Sequence, residues 1–348
     1  MKRLPLPLTS SNPGTMTKMS GGHPLTDSFG RGHRSLRLSL TDRCNLRCGY
    51  CMEEEASFLP GESLLSIDEL IGITTVFVDL GIRKVRLTGG EPLLRQGLID
   101  LVRRLKGIDG LTEISLTTNG ILLEKMARQL KNAGLDRVTI SLDSLNPKTF
   151  ERITRRGGHS RVIEGIESAV NEGFKHTAIN SVILKGINDQ EVGDLIVFCH
   201  AKGILPRFIE TMPIGAGDYD SARFVSAKMI LDLIGKRFGE VHSTIADSKS
   251  SPAKYYKIAT GLVGIIASVS EPFCAMCDRL RLTADGKIRS CLFSLDEIDI
   301  MPLIRGVEWK NDSIINAISE SVWSKKSGHG MHDASFRKPP RTMHAIGG

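Results

Sequence analysis

No run of about 18 apolar residues occurs in the 348-residue chain, which excludes a membrane-spanning helix. The longest apolar stretch of the C-terminal third, Leu262–Ala267, is far too short. The first 28 residues lack the apolar core of roughly 7–15 residues that a secretory signal needs. Acids are scarce at both ends. Residues 1–40 set six Lys/Arg (Lys2, Arg3, Lys18, Arg31, Arg34, Arg37) against Asp27 alone, and residues 324–348 set five against Asp333. The ends therefore hold +5 and +4 of a net +7, and the remainder carries −2. A nucleic-acid face would put its basic excess on the folded body. A small anionic ligand is expected instead, with neither nucleic acid nor membrane as partner.

What is present is ordinary for a globular protein: 41% apolar and 24% charged residues. Single cores stop growing near roughly 250–300 residues, so one large domain plus a smaller unit is expected. Residues 1–28, with four Pro and many Ser/Thr, read as a disordered leader. The cytoplasm is the expected location, with organelle import through the leader as the rival reading.

From Ser35 to Glu210 one pattern recurs: a short apolar run, a turn, then an amphipathic helix. Strands are predicted at Ser35–Leu40, Lys84–Thr88, Glu113–Thr117, Arg137–Leu142, Ala178–Leu184 and Leu205–Glu210. Helices are predicted at Ile67–Leu80, Gln96–Lys106, Glu124–Ala133, Arg161–Glu172 and Glu191–Lys202. Ser66 and Glu69 form a capping-box signature ahead of the first helix. Each helix is followed by a glycine (Gly81, Gly107, Gly134, Gly173, Gly203) suited to a left-handed cap. Such alternation means a parallel sheet, doubly wound or barrel-like, with ligands at the carboxyl ends of the strands. After residue 240 shorter strands follow (Tyr255–Ala259, Leu262–Ser268, Arg279–Leu282, Lys287–Arg289), with Asp285-Gly286 as a hairpin turn and a helix at Asn311–Trp323. Residues from Ser327 on read as irregular chain.

Six of the seven Cys fall into two trios: Cys44, Cys48 and Cys51, then Cys274, Cys277 and Cys291. Cys199 reads as a small buried hydrophobe. Odd trios in a chain without a secretion signal are a poor basis for disulfides. Grouped thiolates attract zinc or iron–sulfur clusters. Neither trio has the fourth nearby ligand that a structural zinc wants. Spacing favours iron–sulfur for the first trio and leaves both metals open for the second. After the second strand comes Gly89-Gly90-Glu91-Pro92, where glycines permit close backbone approach and Glu91 can accept from an ammonium group.

Cys44-x3-Cys48-x2-Cys51, with Tyr50 before the last Cys and Gly-Gly-Glu-Pro after the next strand, resembles the radical S-adenosylmethionine (SAM) superfamily. That resemblance implies a partial (β/α)6 TIM-like barrel and a 4Fe–4S cluster that cleaves SAM to a 5′-deoxyadenosyl radical. The second trio, Cys277-Asp278-Arg279-Leu280-Arg281, Arg207-Phe208-Ile209-Glu210-Thr211-Met212 and the terminal Ile346-Gly347-Gly348 narrow the resemblance to the GTP 3′,8-cyclases of molybdenum cofactor biosynthesis.

The resemblance implies that Cys44, Cys48 and Cys51 hold the SAM cluster, with Tyr50, Gly90, Glu91, Ser141 and Met212 around SAM. It gives Cys274, Cys277 and Cys291 a second 4Fe–4S cluster that meets guanine. Arg37, Arg86, Thr117, Arg279, Leu280 and Arg281 would contact GTP. Gly347 and Gly348, a frayed end on their residues alone, would enter the active site near Arg341. An electron donor, a next enzyme of the molybdopterin pathway and a homodimer are the further implied partners. No Gly-x4-Gly-Lys-Ser/Thr loop is present, so GTP would be substrate and not energy source. One departure stands out. The family places a Lys where this chain has Ala178, and Lys175 and Lys185 are the nearby stand-ins. The expected domains are a leader (1–28), the barrel (29–240), an auxiliary-cluster domain (241–326) and a tail (327–348). Two alternatives remain: a radical SAM peptide-modifying enzyme with an auxiliary cluster, and a non-catalytic zinc module that contacts RNA.

Overall fold

Residues 25–214, 221–244, 251–306, 309 and 311–348 are described in a computed structural model. The six predicted strands occur as β1 (Ser35–Ser39), β2 (Lys84–Thr88), β3 (Glu113–Thr118), β4 (Arg137–Ser141), β5 (Ala178–Ile183) and β6 (Leu205–Glu210). Neighbours pair in parallel, in chain order. The predicted helices occur as α1 (Ile67–Asp79), α2 (Leu98–Lys106), α3 (Leu123–Asn132), α5 (His159–Asn171) and α6 (Val192–Ala201). Between α3 and α5 lies α4 (Pro147–Thr154), which periodicity missed because it is only eight residues long. Its start was nonetheless written in the chain: Asn146 caps the Lys148 and Thr149 amides ahead of Pro147. After α6 the described chain adds α7 (Ala227–Phe238), capped by Ser226, then α8 (Met301–Ile304), α9 (Asn311–Trp323) and α10 (Met343–Ile346).

The Ser66–Glu69 capping box is formed in both directions. Four of the five helix-ending glycines take a positive φ, but Gly107 does not, at −83°. There the chain continues through a tight turn, and the left-handed residue comes later, at Gly110.

The strands after residue 240 do not build a sheet of their own. They are β7 (His242–Thr244), β8 (Lys254–Ile258), β9 (Gly261–Ile266), β10 (Arg279–Leu282), β11 (Lys287–Arg289) and β12 (Ile298–Asp299). Among the described residues the sheet order is β12-β11-β10-β1-β2-β3-β4-β5-β6-β9-β8-β7. β9 joins β6 in parallel and β10 joins β1 in parallel, while the outermost strands are antiparallel. The sheet stays open, as a partial barrel does, and the late strands occupy edge hydrogen-bonding positions that β1 and β6 would otherwise expose. Leu25–Thr26 pairs with Gly32–His33 as a separate two-stranded ribbon. Residues 1–24 of the expected leader lie outside the described residues.

Strand alternation assigns the two faces. Leu38, Leu87, Leu116 and Ile140 join one contiguous apolar cluster with helix residues such as Leu70, Phe77, Leu101 and Leu105. Cys199 is fully buried in that cluster, as its helix position predicts. The intervening Arg37, Arg86, Ser115 and Thr117 line a cavity of about 440 Å³. Phe208 on β6 is fully buried. Phe208→Ala should cost about 3–5 kcal/mol through lost burial and a cavity. Trp323→Ala, at an exposed position, should stay within about 0.5 kcal/mol. Denaturant midpoints of the two variants test the difference.

Candidate active site

The parallel registers place Arg281 opposite Arg37, Arg37 opposite Arg86, Arg86 opposite Ser115, and Ser115 opposite Arg137. One rung across five strands therefore carries four arginines, all lining the cavity. Like charges directly opposite one another on a sheet repel. Burial, then the charges of Arg281, Arg279 and Arg86, hold the Arg37 guanidinium well below its ordinary pKa. Burial, then Arg207, lowers Arg86 to about 10. Burial, then Arg279, lowers Arg281 to about 9. Arg86 donates to the Thr117 and Thr139 hydroxyls at 3.3 and 3.1 Å. Thr117 thus sits at the rung, where the reading placed it. Such a group of cations is stabilised by a polyanion with many acceptor oxygens.

The first cysteine trio follows β1 at the carboxyl edge of the sheet. Its loop hangs on the missed helix α4: Arg47 and Gly49 amides donate to the Thr154 and Ile153 carbonyls at 2.9 and 3.1 Å. The Gly-Gly-Glu-Pro turn clamps it from the other side. Gly90 donates to Thr41 O at 2.7 Å and Glu91 to Arg43 O at 2.8 Å. A Cβ at Gly90 would lie 2.4 Å from the Arg43 carbonyl oxygen. The glycines admit the chain's own backbone, and Gly89 and Gly90 still line the cavity.

Glu91 is buried and not part of the cavity wall. Its carboxylate accepts from the Leu93 amide, the Thr118 hydroxyl and the Asn119 amide at 3.0, 2.7 and 2.7 Å. Burial pushes its pKa up to about 7 against these donors. Asn119 Nδ2 in turn lies 3.8 Å from Cys44 Sγ. Glu91 therefore acts on the loop through Asn119, and no oxygen is left aimed at the cavity. Tyr50 lines the cavity and donates to Asp143 at 2.7 Å, and Asp143 accepts from the Val182 amide at 2.8 Å. Ser141 also lines the cavity, whereas Met212 packs instead beside Ile214, Phe293 and Ile346. Leu280 is fully buried in the core, because it alternates with Arg279 and Arg281 on β10.

Burial raises Cys44 to about 11 and Cys51 to about 12, and raises Cys48 further, with the neighbouring Cys charges adding to the last two. A metal at this trio must displace protons to bind. The second trio has different surroundings. Burial pushes the Cys277 thiol up, but Arg279 and Lys325 more than reverse it, leaving about 6. Within each trio the sulfurs are close enough to repel one another. Yet among the described residues no three Cys, His, Asp or Glu converge as the ligands of one metal ion. That breadth fits the corners of an iron–sulfur cube better than zinc, with its Zn–S bonds of about 2.3 Å.

The C-terminal end is built into the site, so the frayed-end reading is corrected. Arg341 grips Asp285 through two nitrogens at 3.0 and 2.7 Å and reaches Glu297. His344 Nδ1 bonds to the Asp42 carbonyl at 2.9 Å. Arg281 donates to the Gly347 carbonyl at 2.6 Å, and Gly348 lines the cavity. Gly347 has φ 85°, and a Cβ there would lie 2.8 Å from both Ser39 Cβ and Thr88 Oγ1. Sequence reasoning also missed Lys84, Asn119, Arg137, Asp143, Asn180, Arg207 and Tyr255, all on the cavity wall. Position after a strand was the usable signal for Asn119 and Asp143. Lys84, Arg137 and Arg207 required the register. Lys175 and Lys185 are exposed and do not reach the cavity, so neither stands in for Ala178 there.

In the cluster-free chain, alkylation of Cys277 should rise through a midpoint near pH 6. It is then mostly thiolate at pH 7, while Cys44 and Cys51 stay protonated. Peptide mapping after iodoacetamide treatment checks this, and equal rates at pH 7 would contradict it. Gly347→Ala should displace the tail, seen as faster removal of the terminal residues by carboxypeptidase, with partial restoration by Ser39→Gly.

A family profile described as the radical SAM superfamily matches residues 38–237, and one described as Molybdenum Cofactor Synthesis C matches residues 205–331. The chain is 42% identical over 347 residues to a GTP 3′,8-cyclase of Rhodopirellula baltica, covering 98% of this chain and 96% of that protein. It is 43% identical over 333 residues to a GTP 3′,8-cyclase of Streptomyces coelicolor, covering 94% and 97%. Among solved structures, Streptococcus suis SuiB bound to its precursor peptide SuiA superposes with TM-score 0.56 at 16% identity, covering 87% of this chain and 67% of that one. The enzyme anSMEcpe with bound AdoMet gives TM-score 0.55 at 14% identity, covering 88% and 81%. These two likenesses show the fold alone. With cysteine loop, glycine turn and relatives matched along nearly its whole length, the chain belongs to the radical SAM superfamily and, within it, to the GTP 3′,8-cyclase family.

Proposed function

We propose that this chain converts GTP to (8S)-3′,8-cyclo-7,8-dihydroguanosine 5′-triphosphate, the first step of molybdopterin cofactor biosynthesis. The arginine rung carries the reading: a triphosphate supplies the charge and the acceptor oxygens that Arg37, Arg86, Arg281 and the adjacent Arg279 lack. Lys84, Arg137 and Arg207 extend the cationic wall, so the loss of a lysine at Ala178 leaves ample positive charge. Thr117, held by Arg86, offers a hydroxyl beside it.

Cys44, Cys48 and Cys51 would hold a 4Fe–4S cluster which, with SAM bound, supplies one-electron sulfonium cleavage and hence hydrogen abstraction from ribose C3′. Tyr50, Gly90 and Ser141 border the SAM side of the cavity, and Glu91 keeps the loop in place through Asn119. Cys274, Cys277 and Cys291 would hold a second 4Fe–4S cluster facing the guanine. The tail covers the carboxyl ends of β1 and β2 at Ser39 and Thr88. Arg281 joins the Gly347 carbonyl to the substrate side, so tail seating and GTP binding are coupled. An external electron donor, a following enzyme that takes the cyclised product, a homodimer and a cytoplasmic setting complete the proposal. Among the described residues no helix is long and apolar enough to cross a membrane. Full-length identity to GTP cyclases leaves the peptide-modifying and zinc-module readings without support.

The reconstituted chain, incubated anaerobically with reductant, SAM and GTP, is expected to form 5′-deoxyadenosine and a cyclised nucleotide that both depend on GTP. Absence of any GTP-dependent product overturns the proposal. Arg37→Ala should lower kcat/KM for GTP by about 10–100-fold, the worth of one charge-assisted hydrogen bond, at unchanged iron content.

A further inference from the structure

A buried ammonium group is rare because it must find a partner that repays its lost hydration. Lys325, just after α9, is 3% exposed. Its Nζ donates to the Arg279 carbonyl at 2.8 Å and lies 3.5 Å from Cys277 Sγ. Among the described residues no carboxylate is within ion-pair distance of it, and the Cys277 sulfur is the anion it faces. Nothing in apolar packing calls for a charge here.

A second element fixes the position of that turn. Arg31, from the ribbon that precedes β1, is paired with the buried Asp27 at 2.6 Å. The same guanidinium donates to the Cys274 carbonyl at 2.9 Å, the Ser327 carbonyl at 3.0 Å and the Lys326 carbonyl at 2.7 Å. His33, fully buried, closes the ribbon side with Nε2 3.7 Å from Asp27. One side chain thus ties the Cys274 backbone to the residues that follow Lys325.

We propose that Lys325, held in register by the Asp27–Arg31 clasp, is a positioning residue for the C-terminal cysteine trio: its ammonium donates to the Cys277 thiolate and raises the reduction potential of the iron–sulfur cluster bound there. The inference rests on the reading that this trio holds a cluster. A reduced cluster carries one more negative charge than an oxidised one. A fixed cation beside a ligand sulfur in a low-dielectric site stabilises the reduced form more. Arg279 places a second cation on the same side, its guanidinium stacked 4.6 Å from the Phe273 ring centre.

The test uses the full chain with Cys44, Cys48 and Cys51 replaced by Ala, so that iron reports the second trio alone. After anaerobic reconstitution it should retain about four iron per chain. Redox titration followed by electron paramagnetic resonance then gives the midpoint potential. Lys325→Met, close in length and uncharged, should shift the midpoint to lower potential, while Lys325→Arg should keep it near the parent. Loss of iron by Lys325→Met but not by Lys325→Arg also supports a role for the charge. An unchanged midpoint in Lys325→Met at full iron content overturns the inference and leaves the cluster reading intact, as does iron loss by both variants. A parent that retains no iron overturns both.

Discussion

The parallel pairing of β10 with β1 is the constraint on which the rest depends. It sets Arg281 beside Arg37 and thereby continues the row that already joins Arg37 to Arg86. The row opposes its own formation, because neighbouring guanidiniums in a partly desolvated cavity repel. The leucines of the same strands offset that cost. Leu36, Leu38, Leu280 and Leu282 are buried on the other side of the alternation. Hydrophobic burial on one face thus holds a strained electrostatic arrangement on the other, and the strain is relieved by an anionic ligand.

The same pairing brings two cysteine trios, more than 220 positions apart in the chain, to opposite sides of one cavity system. Their surroundings differ in a way that follows from position. The first trio sits on a loop packed against α4, the glycine turn and α10, where burial dominates and the thiols hold their protons. The second lies beside Arg279 and Lys325, where positive charge favours the thiolate at Cys277. The tail spans the gap between these regions. It is anchored by Arg341 on the Asp285 turn and threaded past Ser39 and Thr88 by a residue without a side chain.

Much of this was legible locally. Six strands and five helices announced themselves by periodicity and caps, with ends displaced by a residue or two. The short α4 escaped because eight residues give barely two turns of pattern, although Asn146-Pro147 marked its start. The first trio was legible because its three ligands fall within eight residues. Glu91 was legible as a functional position but not in its role: its partners Thr118 and Asn119 come from the next strand. Leu280 was carried along with its neighbours, and strand alternation turned it away from the cavity.

What the sequence determined by itself was the alternating α/β architecture, the two thiol sets and the turn that clamps the first of them. Each of these is written in contacts or patterns a few residues long. What only the tertiary structure decided was which cations share a cavity, that the last two glycines are seated beside the first two strands, and that the segment before β1 ties down the second cysteine set. These depend on strand register across hundreds of residues. Register is selected by the total burial of both faces, a quantity that no single stretch of the chain contains.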